Sequence, residues 1–211
     1  MVFCVPSYHS HIPDYVARLL STGEIGKEQH VYSIVGCGGN RGRAVADVRE
    51  ALAAKGITIT GEYMVMLPGS YILSYNAFPK PVQALENLLA ERKIKAIAKD
   101  ILHKKGQLLH KDGMFYKEKE EPRLQAAIAE YKEIGRQFEV SNDCLGCGSC
   151  VKVCPVGNIQ MANGKPAFGG NCQQCMGCIQ WCPKRAIDYQ HTAGKRKRYH
   201  HSKVTIGEMM K

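Results

Sequence analysis

Apolar and polar positions along residues 1–79 alternate between two periods. Met1–Val5, Val31–Val35 and, in two pieces, Ile57–Ile59 and Tyr63–Leu67 are short apolar runs, which reads as strand. Between them, Ile12–Leu20 and the alanine-rich Arg43–Lys55 place their apolar residues at helical spacing. Pro13 suits the first turn of the first helix, and Gly23 and Gly56 suit the stops. Strands alternating with helices predict βαβ units, hence an α/β arrangement with a parallel sheet covered by helices. Ligands in such sheets sit beyond the carboxyl ends of the strands. The turns that line that edge are Pro6–Pro13 and Gly36–Gly42.

Farther along, Val82–His103 reads as a long amphipathic helix with Val82, Leu85, Leu88, Leu89, Ile94, Ile97 and Ile101 on its apolar face. Pro122–Phe138 reads as a second, with Leu124, Ala127, Ile128, Tyr131 and Ile134 on one side. The charged stretch between them, Lys104–Glu121, reads as a surface excursion. The longest run of low charge, Gly56–Pro79, is broken by Gly61, Glu62, Pro68 and Gly69, so no membrane span is expected. The N-terminus has no basic segment of the secretory kind and meets Pro6 at once.

After residue 140 the chemistry changes. Eight of the ten cysteines form two copies of C-x2-C-x2-C-x3-C-P: Cys144, Cys147, Cys150, Cys154 with Pro155, and Cys172, Cys175, Cys178, Cys182 with Pro183. Each member of the second set follows its counterpart by 28 residues, as Ile187 follows Ile159, so one supersecondary unit is used twice. Three cysteines at intervals of three let a tight loop aim three thiolates at a cubane [4Fe–4S] cluster. The fourth, before proline, ligates the other cluster in two-cluster ferredoxins. That rule assigns one cluster to Cys144, Cys147, Cys150 and Cys182, and a second to Cys172, Cys175, Cys178 and Cys154. Gly146, Gly148 and Gly177 would let the backbone approach. Zinc prefers two separated pairs of ligands, and a disulfide framework suits a short secreted chain; the run fits both poorly. Asn163-Gly164, flanked by Ile159, Met161 and Phe168, signals a two-residue hairpin. Residues 142–189 thus resemble a bacterial-type ferredoxin with two [4Fe–4S] clusters.

With that in place, the N-terminal turns resemble the flavin loops of a flavodoxin-like domain. Pro6-x-Tyr8, closed by Pro13, looks like the loop after the third flavodoxin strand, and Val35-Gly36-Cys37-Gly38-Gly39 like the loop after the fourth. The resemblance implies FMN, with Tyr8 stacked on its ring and Gly36, Cys37, Gly38, Gly39 and Asn40 at the ring edge. The whole order is similar to flavodoxin–ferredoxin fusions: an incomplete flavodoxin-like parallel sheet at 1–80, a helical linker at 81–139, a small α+β two-cluster domain at 140–190 and a basic tail at 191–211. One departure bears on FMN. The phosphate loop that opens a flavodoxin, and whose N–H groups bind the anion, is not in the sequence. The sequence starts inside what resembles the third strand, leaving about three strands and an unpaired edge. A second chain completing the sheet would cover it. A rival reading takes Gly36, Gly38 and Gly42 as a dinucleotide turn with Glu62 on the ribose, although G-x-G-x-x-x-G is one residue too long.

Charge adds less. The 211 residues carry a formal +10, which two clusters with their thiolates would reduce to about +6. The excess is concentrated in Lys195, Arg196, Lys197 and Arg198. With no nucleic-acid fold around it, the run reads as a solvated or packed tail rather than a nucleic-acid site. Cys4 and Cys37 read as small buried residues of strands, His9 and His11 as surface residues of a loop, and Trp181 as a lid over a cluster. Eight thiolates committed to iron point to a reducing compartment, the cytoplasm. The reading is an electron carrier that relays single electrons through two clusters to or from a redox partner protein. Its alternative is a small FMN- or NAD(P)-dependent reductase with the clusters as internal relay.

Overall fold

The structure is a computed structural model and describes residues 1–26, 29–39, 42–112, 122, 126, 130–190 and 195–210. The chain divides into two compact units, Met1–Pro68 with Lys80–Leu124, and Gly69–Pro79 with Gln125–Lys211.

In the first unit, β1 (Val2–Pro6), β2 (Tyr32–Cys37) and β3 (Gly61–Met66) form a parallel sheet in that order. The crossovers contain α1 (Asp14–Thr22) and α2 (Ala44–Ala53). Strand geometry sends successive side chains to opposite faces. Val31 and Val35 accordingly join Val16, Leu20, Val48 and Leu52 in one core. Tyr32 joins Tyr63, Val65, Ala90 and Ile97 in another, where α3 (Lys80–Leu102) covers the opposite face. The result is a helix–sheet–helix sandwich, mixed α/β as predicted. Ile57–Ile59 is not strand, however. Ile57 N–H donates to Leu52 O as the chain leaves α2, and both isoleucines are spent in the α1–α2 core.

The predicted apolar face of α3 is mostly exposed. Ala90 and Ile97 are buried, whereas Val82, Leu85, Leu88, Leu89 and Ile94 are not. The seven predicted positions wrap around more than one side of the helix, and a three-stranded sheet covers only the side shared by Ala90, Ile97 and Ile101. The stretch read as a surface excursion is tied down at its start. Glu62 N–H donates to Gln107 O at 2.7 Å, and Leu109 N–H donates to Glu62 Oε2 at 2.6 Å. Residues 106–109 therefore cover part of the β3 edge. Residues 113–121 lie outside the described residues.

The second unit is built from short elements. A 3-10 turn at Lys132–Gln137 leads into β4 (Phe138–Val140). Then come α4 (Ser149–Lys152), β5 (Ile159–Ala162), β6 (Lys165–Phe168), α5 (Gly177–Gln180), β7 (Ile187–Tyr189) and α6 (Ile206–Met209). The helix predicted over Pro122–Phe138 ends early. Lys132 O accepts from the Cys172 N–H at 3.0 Å, and Phe138 is already in a strand pair with Tyr189. Of that helix's predicted apolar side, Leu124, Ala127 and Ile128 lie outside the described residues. The hairpin turn is as predicted: Asn163 (φ 50°) and Gly164 (φ 77°) are both left-handed between antiparallel β5 and β6. The 28-residue repeat extends to strand pairing, since Val140↔Ile187 and Phe168↔Ile159 are equivalent pairs.

Candidate metal centre

The two cysteine loops are built alike. Each runs into a four-residue helix, α4 or α5, through a left-handed residue, Gly148 (φ 71°) or Met176 (φ 60°). Gly146 (φ 65°) likewise matches Gln174 (φ 52°). Gly177, read above as a point of close approach, instead opens α5, and a Cβ there would meet only ordinary contacts. The left-handed positions of the second loop are filled by residues with side chains.

The packing of α4 beside α5 sorts the eight cysteines. Cys144, Cys147, Cys150 and Cys182 ring one cavity, together with Met161, Pro166 and Lys184. Cys154, Cys172, Cys175 and Cys178 ring a second, walled by Phe138, Val156, Ile159, Phe168 and Met176. Each cavity thus takes three cysteines of one set and the last of the other. Main-chain donors face the sulfurs in equivalent places. Asn158 N–H points at Cys154 Sγ (3.2 Å) and Ala186 N–H at Cys182 Sγ (3.3 Å), each four residues after its cysteine. Gln174 N–H adds a bond to Cys172 Sγ at 3.4 Å.

The electrostatics need a cationic centre. Burial pushes the Cys175 thiol up to about 11 and raises Cys178 well above its ordinary value; Cys150 and Cys172 are raised for the same reason. Cys147 is held low, by the Ser149 hydroxyl 3.4 Å from its sulfur. A buried thiolate is disfavoured by desolvation unless positive charge accompanies it. Zinc would need sulfurs about 2.3 Å from one point. Among the described residues no three His, Cys, Asp or Glu side chains converge for a single ion. Four thiols around a cavity with N–H groups turned on them fit an iron–sulfur cluster.

Several residues around this site carry no signal in the sequence. Tyr71 donates to Gln174 Oε1, and Gln174 Nε2 donates to Tyr131 O at 3.3 Å, which locks the second loop. Burial pushes the Tyr71 phenol up to about 12. The basic run turns partly inward. Arg196 Nη1 donates to Ile72 O at 2.7 Å, and Arg198 Nη1 donates to Ile179 O and to Cys182 O. Lys195 and Lys197 stay exposed. Trp181 is half-buried and stacks on His200 with centroids 4.2 Å apart.

The candidates of the first unit fare differently. Ser7 N–H donates to Gly36 O at 2.8 Å, which brings the two carboxyl-end turns together near Tyr8. Cys37 is buried at the end of β2, Gly38 and Gly39 are exposed, and Asn40 lies outside the described residues. Three readings are corrected. Cys4 is exposed, because β1 is an edge strand. His11 is buried, its Nδ1 3.0 Å from Asp47 Oδ2. Glu62 is fully buried and bidentate with Arg49 at 2.6 and 2.9 Å, so it is not free for a ribose. On α2, Asp47 also accepts the Ile12 N–H at 3.1 Å, which ties the first turn to that helix.

Residues 143–187 match the family model for a 4Fe-4S dicluster domain. No curated protein and no solved structure matches the chain. The second unit therefore contains a 4Fe–4S cluster-binding domain of the kind that serves electron transfer. Among the described residues no helix is long and apolar enough to cross a membrane.

Proposed function

We propose that the second unit holds two [4Fe–4S] clusters, one on Cys144, Cys147, Cys150 and Cys182 and one on Cys154, Cys172, Cys175 and Cys178, and that the protein relays single electrons between redox partner proteins. The observation that carries this reading is the pair of four-cysteine cavities with exchanged fourth members. Each cluster supplies one-electron exchange at nearly constant geometry. Cys154 and Cys182 each link one loop to the other cavity, which keeps the two centres close enough for a relay. Main-chain N–H groups on Cys154, Cys172 and Cys182 offset negative charge on the sulfurs. Phe138 and Phe168, edge to face at 5.3 Å, and Ile159 keep water from the second cavity. Leu145, 67% exposed beside the first cavity, gives a partner protein an apolar contact there.

FMN and a nicotinamide cofactor stay outside the proposal, because no phosphate loop of the flavodoxin kind is in the sequence and Glu62 is already engaged by Arg49. The first unit is read as a docking scaffold, with the β1 edge open to a strand from a second chain. The test is anaerobic purification with iron, sulfide and flavin assays and paramagnetic resonance of the reduced protein. About eight irons per chain, two interacting reduced clusters and no flavin support the reading. About four irons, or stoichiometric flavin, would overturn it.

A further inference from the structure

The basic run after the second cysteine set is unequally placed with respect to the two cavities. Residues 196–200 form a strap held within the second unit at several points. Lys197 N–H donates to Asn76 Oδ1 at 2.9 Å, and Ala77 N–H donates to Lys197 O at 3.1 Å. Tyr199 N–H donates to Gln180 Oε1 at 2.9 Å, and Gln180 Nε2 in turn donates to Ser70 O at 2.7 Å. His200 stacks on Trp181. Between these anchors Arg198 turns inward.

Its guanidinium is only partly used by the main chain. Nη1 serves the carbonyls of Ile179 and Cys182, the latter at 3.1 Å. Nε and Nη2 are buried, with no hydrogen-bond partner among the described residues. Of the charged groups that act on the guanidinium, Cys182 is the foremost, attracting it, ahead of repulsion by Arg185 and attraction by Asp188. Burial opposes the charge, but a guanidinium stays protonated in proteins. A guanidinium with buried nitrogens therefore sits against a cysteine of the first cavity. Lys184 lines the same cavity. Among the described residues the second cavity has no charged residue in its lining, and the charges that act on Cys172, Cys175 and Cys178 are those of other cysteines.

Resting on the two-cluster reading above, we propose that Arg198 is a potential-setting residue. Its buried charge beside Cys182 makes the cluster on Cys144, Cys147, Cys150 and Cys182 the more easily reduced of the two. Reduction adds one electron from an external donor and so one negative charge. A fixed cation nearby stabilises that charge, and burial strengthens the interaction because little solvent screens it. Lys184 acts in the same direction more weakly, since it is exposed and screened by salt. The internal repeat would otherwise make the two sites near-equivalent. The strap breaks that equivalence and gives the relay a preferred resting place for its electron.

The experiment is potentiometry monitored by paramagnetic resonance on the reconstituted full chain, with Cys147→Ser marking the first cluster. Arg198→Met is expected to lower the equilibrium constant for reducing that cluster by on the order of tenfold, equivalent to about 59 mV for one electron, and to leave the other unmoved. Arg198→Lys is expected to restore most of the difference. Lys184→Met is expected to move the same cluster by less, with an effect that fades in high salt. Should Arg198→Met fail to hold iron, Arg198→Gln, which keeps an amide donor for the two carbonyls, carries the same comparison. Equal shifts in both clusters, no shift, or equal shifts from the neutral and lysine variants would overturn the inference. Iron near four per chain, or one cluster signal in the unmodified protein, would instead overturn the reading beneath it.

Discussion

At the scale of single residues, the two halves of the repeat solve the same backbone problem differently. The first loop uses Gly146 and Gly148 for its left-handed turns, while the second uses Gln174 and Met176 at the equivalent positions. A side chain in that conformation costs about 1 kcal/mol, which the second loop offsets through the buried contacts of Met176 and the bonds of Gln174 to Tyr71 and Tyr131. The first loop has no such compensation. Gly148→Ala, with open space around the new Cβ, is expected to destabilise the loop by about 1 kcal/mol. Gly146→Ala is expected to be worse, because its Cβ would lie 2.8 Å from the Gly164 carbonyl in the hairpin turn. The rate at which cluster absorbance bleaches in urea should rank the proteins in that order. The cysteine spacing made the grouping of the eight sulfurs into two cavities legible, since three cysteines at intervals of three are a local property of the chain. Arg198 was not legible. In sequence it is one of four adjacent cations, and only the folded strap separates the inward guanidinium from its exposed neighbours Lys195 and Lys197.

At the scale of elements, the first unit depends on one ion pair that bridges α2, β3 and the segment after α3. Glu62 on β3 is fully buried, and Arg49 on α2 holds both its oxygens while also donating to Leu109 O at 2.7 Å. Arg49→Met leaves the carboxylate buried without its cation, and is expected to destabilise the unit by about 3 kcal/mol. Urea unfolding followed by far-ultraviolet circular dichroism would read it. The double variant Arg49→Met, Glu62→Gln should be less destabilised than the sum of the singles, because the orphaned charge is gone. The alternation of strands and helices was readable at this scale because apolar periodicity reports which face is buried. Three assignments failed where partners elsewhere in the chain decided the outcome. Ile57–Ile59 packs beneath α1 and α2, Lys132–Gln137 is a 3-10 turn whose Lys132 O accepts from Cys172, and most of the predicted apolar face of α3 meets no sheet.

At the scale of the whole molecule, the two units differ in what holds them. The first has apolar cores on both faces of its sheet. The second counts Cys150, Cys154 and Cys178 among its buried core residues, with Cys172 and Cys182 packed against them, so candidate cluster ligands are part of its core. Removal of iron and sulfide is expected to unfold the second unit and spare the first, since cluster binding and folding are coupled in such domains. Limited proteolysis of the iron-free protein should cut within residues 130–190 and leave the sheet unit protected; equal protection of both would refute the coupling. The sequence alone determined the chemistry and the two kinds of element. Ligand spacing, turn residues and apolar period are set by neighbours within a few residues, and short-range geometry follows from them. Only the tertiary structure decided that Gly69–Pro79 belongs with the cysteine unit, that Glu62 is structural, and that one arginine of the basic run lies against Cys182. Those outcomes depend on contacts between residues far apart in the chain, and burial in the folded state, which no local pattern records, selects among them.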